Sequence, residues 1–298
     1  MWQILGAGAI GCLWAANLLQ SSQQVHLVSR KKLNQKQLSY QNIEGIKVDL
    51  DCPHSQQLLK TDSVILVCVK AAQVKDALLQ QINNISPQQV IILMHNGMGC
   101  AEQLTKILPH NPIICATTAN ASLMTSPLNI KQTGLGITYL GAFNEQAKPF
   151  SYLAKTLNCA LANTHWCEDI EQKLWLKLLI NITINPLTAI NQVNNGRLSE
   201  VEFQLQIMQM LDEMIPVLKS QQLLFEKSEL LTIINSVIEA TATNFSSMNR
   251  DIHFKRPTEN DYINGYLLKK ALQYNIETPL ISSIYNQIKA LENHSLAQ

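Results

Sequence analysis

The chain opens on a short apolar run, Trp2–Leu5, followed at once by Gly6-Ala7-Gly8-Ala9-Ile10-Gly11 and an apolar helical pattern to Leu19. A second apolar run, Val25–Val28, comes soon after. Few folds place this glycine spacing between a strand and a helix with another strand so close behind. The spacing predicts the βαβ unit of a dinucleotide-binding fold. Gly6 makes the tight turn, Gly8 leaves backbone open to a pyrophosphate, and Gly11 lets helix close on strand. Phosphate oxygens then sit on the free N–H groups that Ala7, Ala9 and Ile10 bring to the helix start. The plainer alternative is a glycine turn with no ligand.

The end of the second strand reads Ser29-Arg30-Lys31-Lys32, where NAD-binding folds place a carboxylate for the ribose 2′-hydroxyl. A carboxylate repels a 2′-phosphate and a guanidinium pairs with it, so Arg30 points to NADP(H) rather than NAD. A solvated basic turn is the competing reading. Strand and helix patterns then alternate: strands at 63–69, 90–94 and 113–116, helices at 73–82 and 101–108. Repeated units of this kind predict an α/β domain with a Rossmann-type, doubly wound parallel sheet, in which ligands gather at the carboxyl ends of strands. Lys70 and Asn96 fall at two such ends, Lys70 as a cofactor contact and Asn96 as a bridge to substrate. Each is also an ordinary turn residue, Asn96-Gly97 above all. The segment 117–122 follows the next strand as a loop able to lend backbone groups to the site. A strand near the sheet edge at 134–141, a helix at 150–157 and a last short strand at 163–166 complete the half.

Beyond Cys167 the strand patterns stop. Helical periods cover 168–185, 199–221, 226–247, 259–274 and 279–292, with a loop at 249–257. The expected division is a Rossmann domain at 1–166 and an all-α domain at 167–298. Hydrophobic residues make up 46% of the chain, enough for a core in each half. The first helix of the second half is the most unusual stretch. Leu174, Trp175, Leu178, Leu179 and Ile182 make it a core helix, yet Lys177, Asn181 and Asn185 recur every fourth residue as one polar stripe. Buried polar groups need partners, so the stripe belongs to an internal network or faces a polar ligand. Pro186 removes a backbone donor and is expected to bend or loosen the helix. Thr258 with Asp261 resembles a capping box, which puts Glu259 in a first helical turn.

A net charge of +1 argues against nucleic acid or an anionic membrane as a partner. No run of about 18 apolar residues is present to span a bilayer. Seven cysteines, an odd number without C-x-x-C spacing, read as the reduced thiols of a cytoplasmic protein, with no metal site among them.

Four further segments stand out: Met94-His95-Asn96-Gly97-Met98-Gly99, Lys173-Leu174-Trp175-Leu176-Lys177 with Asn181 and Ile184-Asn185-Pro186-Leu187-Thr188-Ala189, Ala242-Thr243-Asn244-Phe245-Ser246-Ser247-Met248, and Thr258-Glu259-Asn260-Asp261-Tyr262-Ile263-Asn264-Gly265. Together with the glycine turn and Arg30, they resemble the motifs of the ketopantoate reductase (2-dehydropantoate 2-reductase) family, in order and over essentially the whole chain. The resemblance implies NADPH-dependent reduction of 2-dehydropantoate to (R)-pantoate, on the route to pantothenate and coenzyme A. It implies that Lys177 is the catalytic proton donor. Asn96, Asn181, Asn185, Asn195 and Ser247 fall on substrate-contacting positions, and Lys70, Ser122 and Glu259 on cofactor-side or active-site positions. The segment 116–122 departs from the family pattern in its side chains. Two other readings stay open: a paralogue that reduces a different 2-oxo acid, and a non-catalytic NADPH-binding regulator. The partner expected is a small 2-oxo acid, and the protein a monomer or homodimer.

Overall fold

The computed structural model describes residues 1–296. These form two compact units, the first of Met1–His95 with Gly99–Leu174, the second of Asn96–Met98 with the chain from Trp175 onward. By internal contacts the chain passes from one unit to the other inside a helix, between Leu174 and Trp175. A helix does not break where a core ends: the first turn of Ile170–Asn191 counts with the first unit and the remainder with the second. The segment Asn96–Met98 joins the second unit because Met98 packs in that unit's core and its N–H donates to the Tyr262 carbonyl at 2.9 Å.

The first unit runs β1 (Trp2–Leu5), α1 (Ala9–Gln20), β2 (Val25–Val28), β3 (Gln37–Gln41), β4 (Lys47–Asp51), β5 (His54–Ser55), β6 (Val64–Val67), α2 (Ala71–Gln80) and β7 (Ile91–Met94). It continues with α3 (Cys100–Ile107), β8 (Ile113–Thr118), β9 (Ala121–Ser126), β10 (Asn129–Gly134), β11 (Thr138–Ala142), α4 (Leu153–Ala160) and β12 (Thr164–Trp166). The large sheet has the order β12-β11-β8-β7-β6-β1-β2-β5. It is parallel except that β11 runs antiparallel to β8. Every residue of β1, β2 and β7 is buried, as strands covered on both faces require. This is the Rossmann-type sheet that the alternation predicts. The strand expected at 134–141 is β11, which lies near the sheet edge as expected, with only β12 beyond it.

A second sheet, β4-β3-β10-β9, was not legible in the strand pattern. It turns the expected loop 117–122 into the end of β8, a tight connection and the start of β9. Its role is to cover α1, which contacts β1 and β2 on one side and β3, β9 and β10 on the other. Hence Gly11 through Leu18 of α1 are all buried, a helix apolar all round because sheets flank it.

In the second unit, α5 (Ile170–Asn191), α6 (Val201–Ser220), α7 (Lys227–Ala240), α8 (Ser247–His253), α9 (Asn264–Gln273) and α10 (Pro279–Leu296) supply the core, with Trp175, Ile207, Met214, Leu267, Ile284 and Ile288 at its centre. The expected loop 249–257 is half helix. Ser246 caps α8 by accepting the Asn249 N–H, a local bond that starts a helix without an apolar period to announce it. The capping box at Thr258 does not form. The Asp261 carboxylate instead accepts from Tyr285 and pairs with Lys289. The helix expected over 168–185 runs on through Pro186 to Asn191 as α5. Among the described residues no helix is long and apolar enough to cross a membrane.

Candidate active site

At the carboxyl end of β1 the backbone turns through Gly6, whose φ is +120°. A Cβ there would meet the backbone of Cys68 and Val69 at 2.9 Å, so only glycine fits. A Cβ on Gly11 would lie 1.9 Å from the Gly6 carbonyl, which is how α1 closes onto the strand. Gly8, by contrast, faces open space and caps α1 without a side-chain hydrogen bond. The first-turn N–H groups are therefore presented toward a cavity of about 500 Å³. Gly6, Ala7, Gly8, Arg30, Lys31 and Lys70 all line it, with Lys70 at the N-terminus of α2. Gln73, Asp76, Gln56, Met124 and Pro127 are also part of its wall and were not singled out from the sequence, the last two because the second sheet brings their hairpin there. Ser122 lies on β9, does not line the cavity, and has a buried hydroxyl without a hydrogen-bond partner among the described residues. A larger depression of about 720 Å³, lined by Trp2, Asp62 and Gln89, opens at the other ends of the strands, where parallel sheets do not collect ligands.

The second unit gathers the rest of the residues singled out. Lys177, Asn181 and Asn185 share one face of α5. Asn185 is buried at 6% exposure, yet neither its carboxamide nor that of Asn181 has a hydrogen-bond partner among the described residues. An internal network would pair them; a face built for a polar ligand leaves them open. Lys177 is partly exposed by area, but its ammonium is surrounded closely enough that burial brings its pKa down to about 8, against an upward pull from the Glu259 carboxylate. Glu259 is itself buried and accepts from Asn96 Nδ2 at 3.1 Å. Gly97 makes that contact possible. Its φ is +80°, and a Cβ there would press within 2.5 Å of the Tyr262 carbonyl.

Asn195 is anchored by its Nδ2 to the Thr241 hydroxyl at 2.8 Å, while its buried Oδ1 has no hydrogen-bond partner among the described residues. Ser247 is exposed at the start of α8. The residues that hold these in place were not singled out from the sequence. Thr188 donates to Ser246 Oγ at 2.7 Å, and Asn249 Nδ2 donates to the Thr188 carbonyl at 2.7 Å, tying α8 to α5 next to Asn185. Their only signal was polarity inside an apolar context. Among the described residues no group of three or more His, Cys, Asp or Glu side chains is placed to hold a metal ion. The chemistry on offer is an anion-binding cradle in one unit, and in the other an ammonium of lowered pKa beside a carboxylate and open carboxamides.

Comparison with known proteins bears on both units. The family model described as "Ketopantoate reductase PanE/ApbA" matches residues 2–145, and its C-terminal counterpart matches 169–292. The 2-dehydropantoate 2-reductase of Vibrio cholerae is 38% identical over 97% of this chain and 97% of its own length. That of Escherichia coli O157:H7 is 33% identical over 97% of this chain and 94% of its own. Among solved structures, a ternary complex of D-mandelate dehydrogenase with NADH and anilino(oxo)acetate superposes with a TM-score of 0.89 over 99% of both chains. At 23% identity, that likeness speaks for the fold alone.

Proposed function

The chain belongs to the ketopantoate reductase family, and from that premise we propose that it reduces 2-dehydropantoate to (R)-pantoate with NADPH. The carrying observation is the stripe on α5: an ammonium of lowered pKa beside two asparagines whose carboxamides find no hydrogen-bond partner among the described residues. A ketone oxygen that gains negative charge needs a proton and a positive neighbour, and an ammonium supplies both. Lys177 donates that proton to the carbonyl oxygen, and Glu259, held by Asn96, keeps the amine oriented. Asn181, Asn185 and Asn195 offer neutral donors and acceptors that suit substrate hydroxyls. Ser247 is assigned to the substrate carboxylate.

The cradle fits a dinucleotide. Gly6 to Gly11 take the pyrophosphate on backbone N–H groups, Arg30 pairs with a 2′-phosphate, and Lys70 and Ser122 are cofactor-side contacts. Of these, Ser122 has the least support, since it does not line the cavity. When bound, the nicotinamide supplies the hydride that goes to the ketone carbon.

The test is a panel of 2-oxo acids with NADPH and NADH oxidation as the readout. Strong preference for 2-dehydropantoate with NADPH is expected. Preference for another 2-oxo acid would make the protein a paralogue on the same scaffold, and absence of turnover would end the enzymatic reading.

A further inference from the structure

Helix α10 turns one face toward the segment that carries Glu259. Tyr285, Lys289 and Glu292 lie on that face at i, i+4 and i+7. Thr258 donates both its backbone N–H, at 2.7 Å, and its hydroxyl, at 2.6 Å, to Glu292 Oε1. The same hydroxyl accepts the Asn260 N–H at 3.1 Å, and Asn260 Nδ2 donates to the Tyr285 carbonyl at 3.0 Å. Tyr285 Oη donates to Asp261 Oδ1 at 2.6 Å. Lys289 pairs with Asp261 at 3.2 Å and with Glu292 Oε2 at 3.1 Å. Residues 258, 260 and 261 are thus gripped on both sides of Glu259, while the Glu259 carboxylate accepts from Asn96 and acts on Lys177.

The contacts in this grip are unequal. Lys289 and Asp261 are 37% and 55% exposed, and such pairs contribute little. Glu292 is 8% exposed, and a buried carboxylate taking two donors on one oxygen makes short, charge-assisted and geometrically demanding bonds. A turn held only for stability does not call for a buried charge, which is costly to desolvate. We propose that Glu292 is a positioning residue for the active site: by binding both donors of Thr258 it fixes the turn that aims Glu259. This rests on the roles given above to Glu259 and Lys177.

The experiment compares Glu292→Ala, Glu292→Gln and Ile288→Ala in the full-length protein. The Gln variant keeps an oxygen for Thr258 but loses the charge. Ile288 is buried in the core from the same helix and makes none of the grip's side-chain hydrogen bonds or ion pairs, so its truncation reports the cost of loosening α10 in general. Amide exchange is read at Tyr262 and Ile263, whose N–H groups both donate to the Glu259 carbonyl at 3.0 Å. For Glu292→Ala, exchange there should rise by about tenfold or more. Its kcat should fall on the order of tenfold with NADPH affinity unchanged. Glu292→Gln should restore most of both, and Ile288→Ala should lower Tm without either change per folded molecule. Should Glu292→Ala fold poorly, Thr258→Val, which removes one of the two donors, gives a milder form of the same comparison, with Thr258→Ser as its rescue. Unchanged exchange at 262 and 263, or identical behaviour of Glu292→Ala and Ile288→Ala, overturns the proposal. A wild-type protein that does not turn over 2-dehydropantoate defeats the functional reading instead, and the exchange comparison still decides the clamp.

Discussion

Lys177 carries a charge into a helix that is otherwise core, and the two explanations for it predict opposite mutants. As a proton donor, Lys177→Ala should cut kcat by about 10² or more and leave NADPH affinity nearly intact. Asn181→Ala and Asn185→Ala should act chiefly on KM. The reductive rate of the wild type should fall as pH rises through about 8, where the ammonium loses its proton. Stability has the opposite slope. The folded pKa lies below the unfolded value of 10.5, so protonation favours the unfolded chain. That penalty is fully present below pH 8 and fades toward 10.5. Lys177→Met should therefore melt no lower than wild type at pH 7, with its relative gain shrinking as pH rises across that window. A clear loss of Tm at pH 7 would return Lys177 to a structural network. Arg30 has its own test. Arg30→Ala should weaken NADPH by roughly tenfold to a hundredfold and NADH hardly at all, since only NADPH offers a 2′-phosphate to a charge-assisted bond. Equal weakening of both would remove Arg30 from cofactor selection.

At the scale of elements, the connection of Asn96–Met98 and the join of α8 to α5 determine where side chains sit. Gly97 holds a left-handed conformation against the Tyr262 carbonyl, so Gly97→Ala must displace the loop. We expect a stability cost of about 1–3 kcal/mol by urea titration. We also expect kcat to fall on the order of tenfold because Asn96 no longer reaches Glu259. An alanine variant with unaltered kinetics would show that the Asn96–Glu259 bond is dispensable. The elements also show where reading the sequence stops. Strand β7 is a continuous apolar run, β1 and β2 are apolar but for Gln3 and His26, and all three could be located. Strands β4 and β9 alternate or are mostly exposed, with Lys47, Asp49 and Asp51 on one and Ser122 and Thr125 on the other. Such strands exist because a sheet partner satisfies their backbone, a fact their composition does not carry.

At the scale of the molecule, each unit has its own core, one around Trp14 and one around Trp175. Both indoles are fully buried, and Trp14→Ala and Trp175→Ala should each cost about 3–5 kcal/mol. Calorimetry should resolve these as effects on separate transitions. NADPH at about a hundred times its Kd should stabilise by about 2.7 kcal/mol the transition weakened by Trp14→Ala, because the glycine cradle lies in that unit. Ligand stabilisation confined to the Trp175 transition would place the cofactor elsewhere.

What the sequence determined by itself was whatever local rules enforce. The Gly6–Gly8–Gly11 spacing announced a turn in which only glycine fits at positions 6 and 11, the strand–helix alternation demanded a parallel sheet, and a four-residue recurrence put Lys177, Asn181 and Asn185 on one face. Arg30 in place of a carboxylate needed no structure to be noticed. The tertiary structure decided what depends on contacts distant in the chain. It wrapped α1 in a second sheet, which the helix's all-round apolar character required without saying what would cover it. It let the first turn of α5 pack with the first unit, brought Asn96 across 163 positions to Glu259, and set Glu292 beneath Thr258. Those pairings join residues whose types fit many partners, and only packing selects among them.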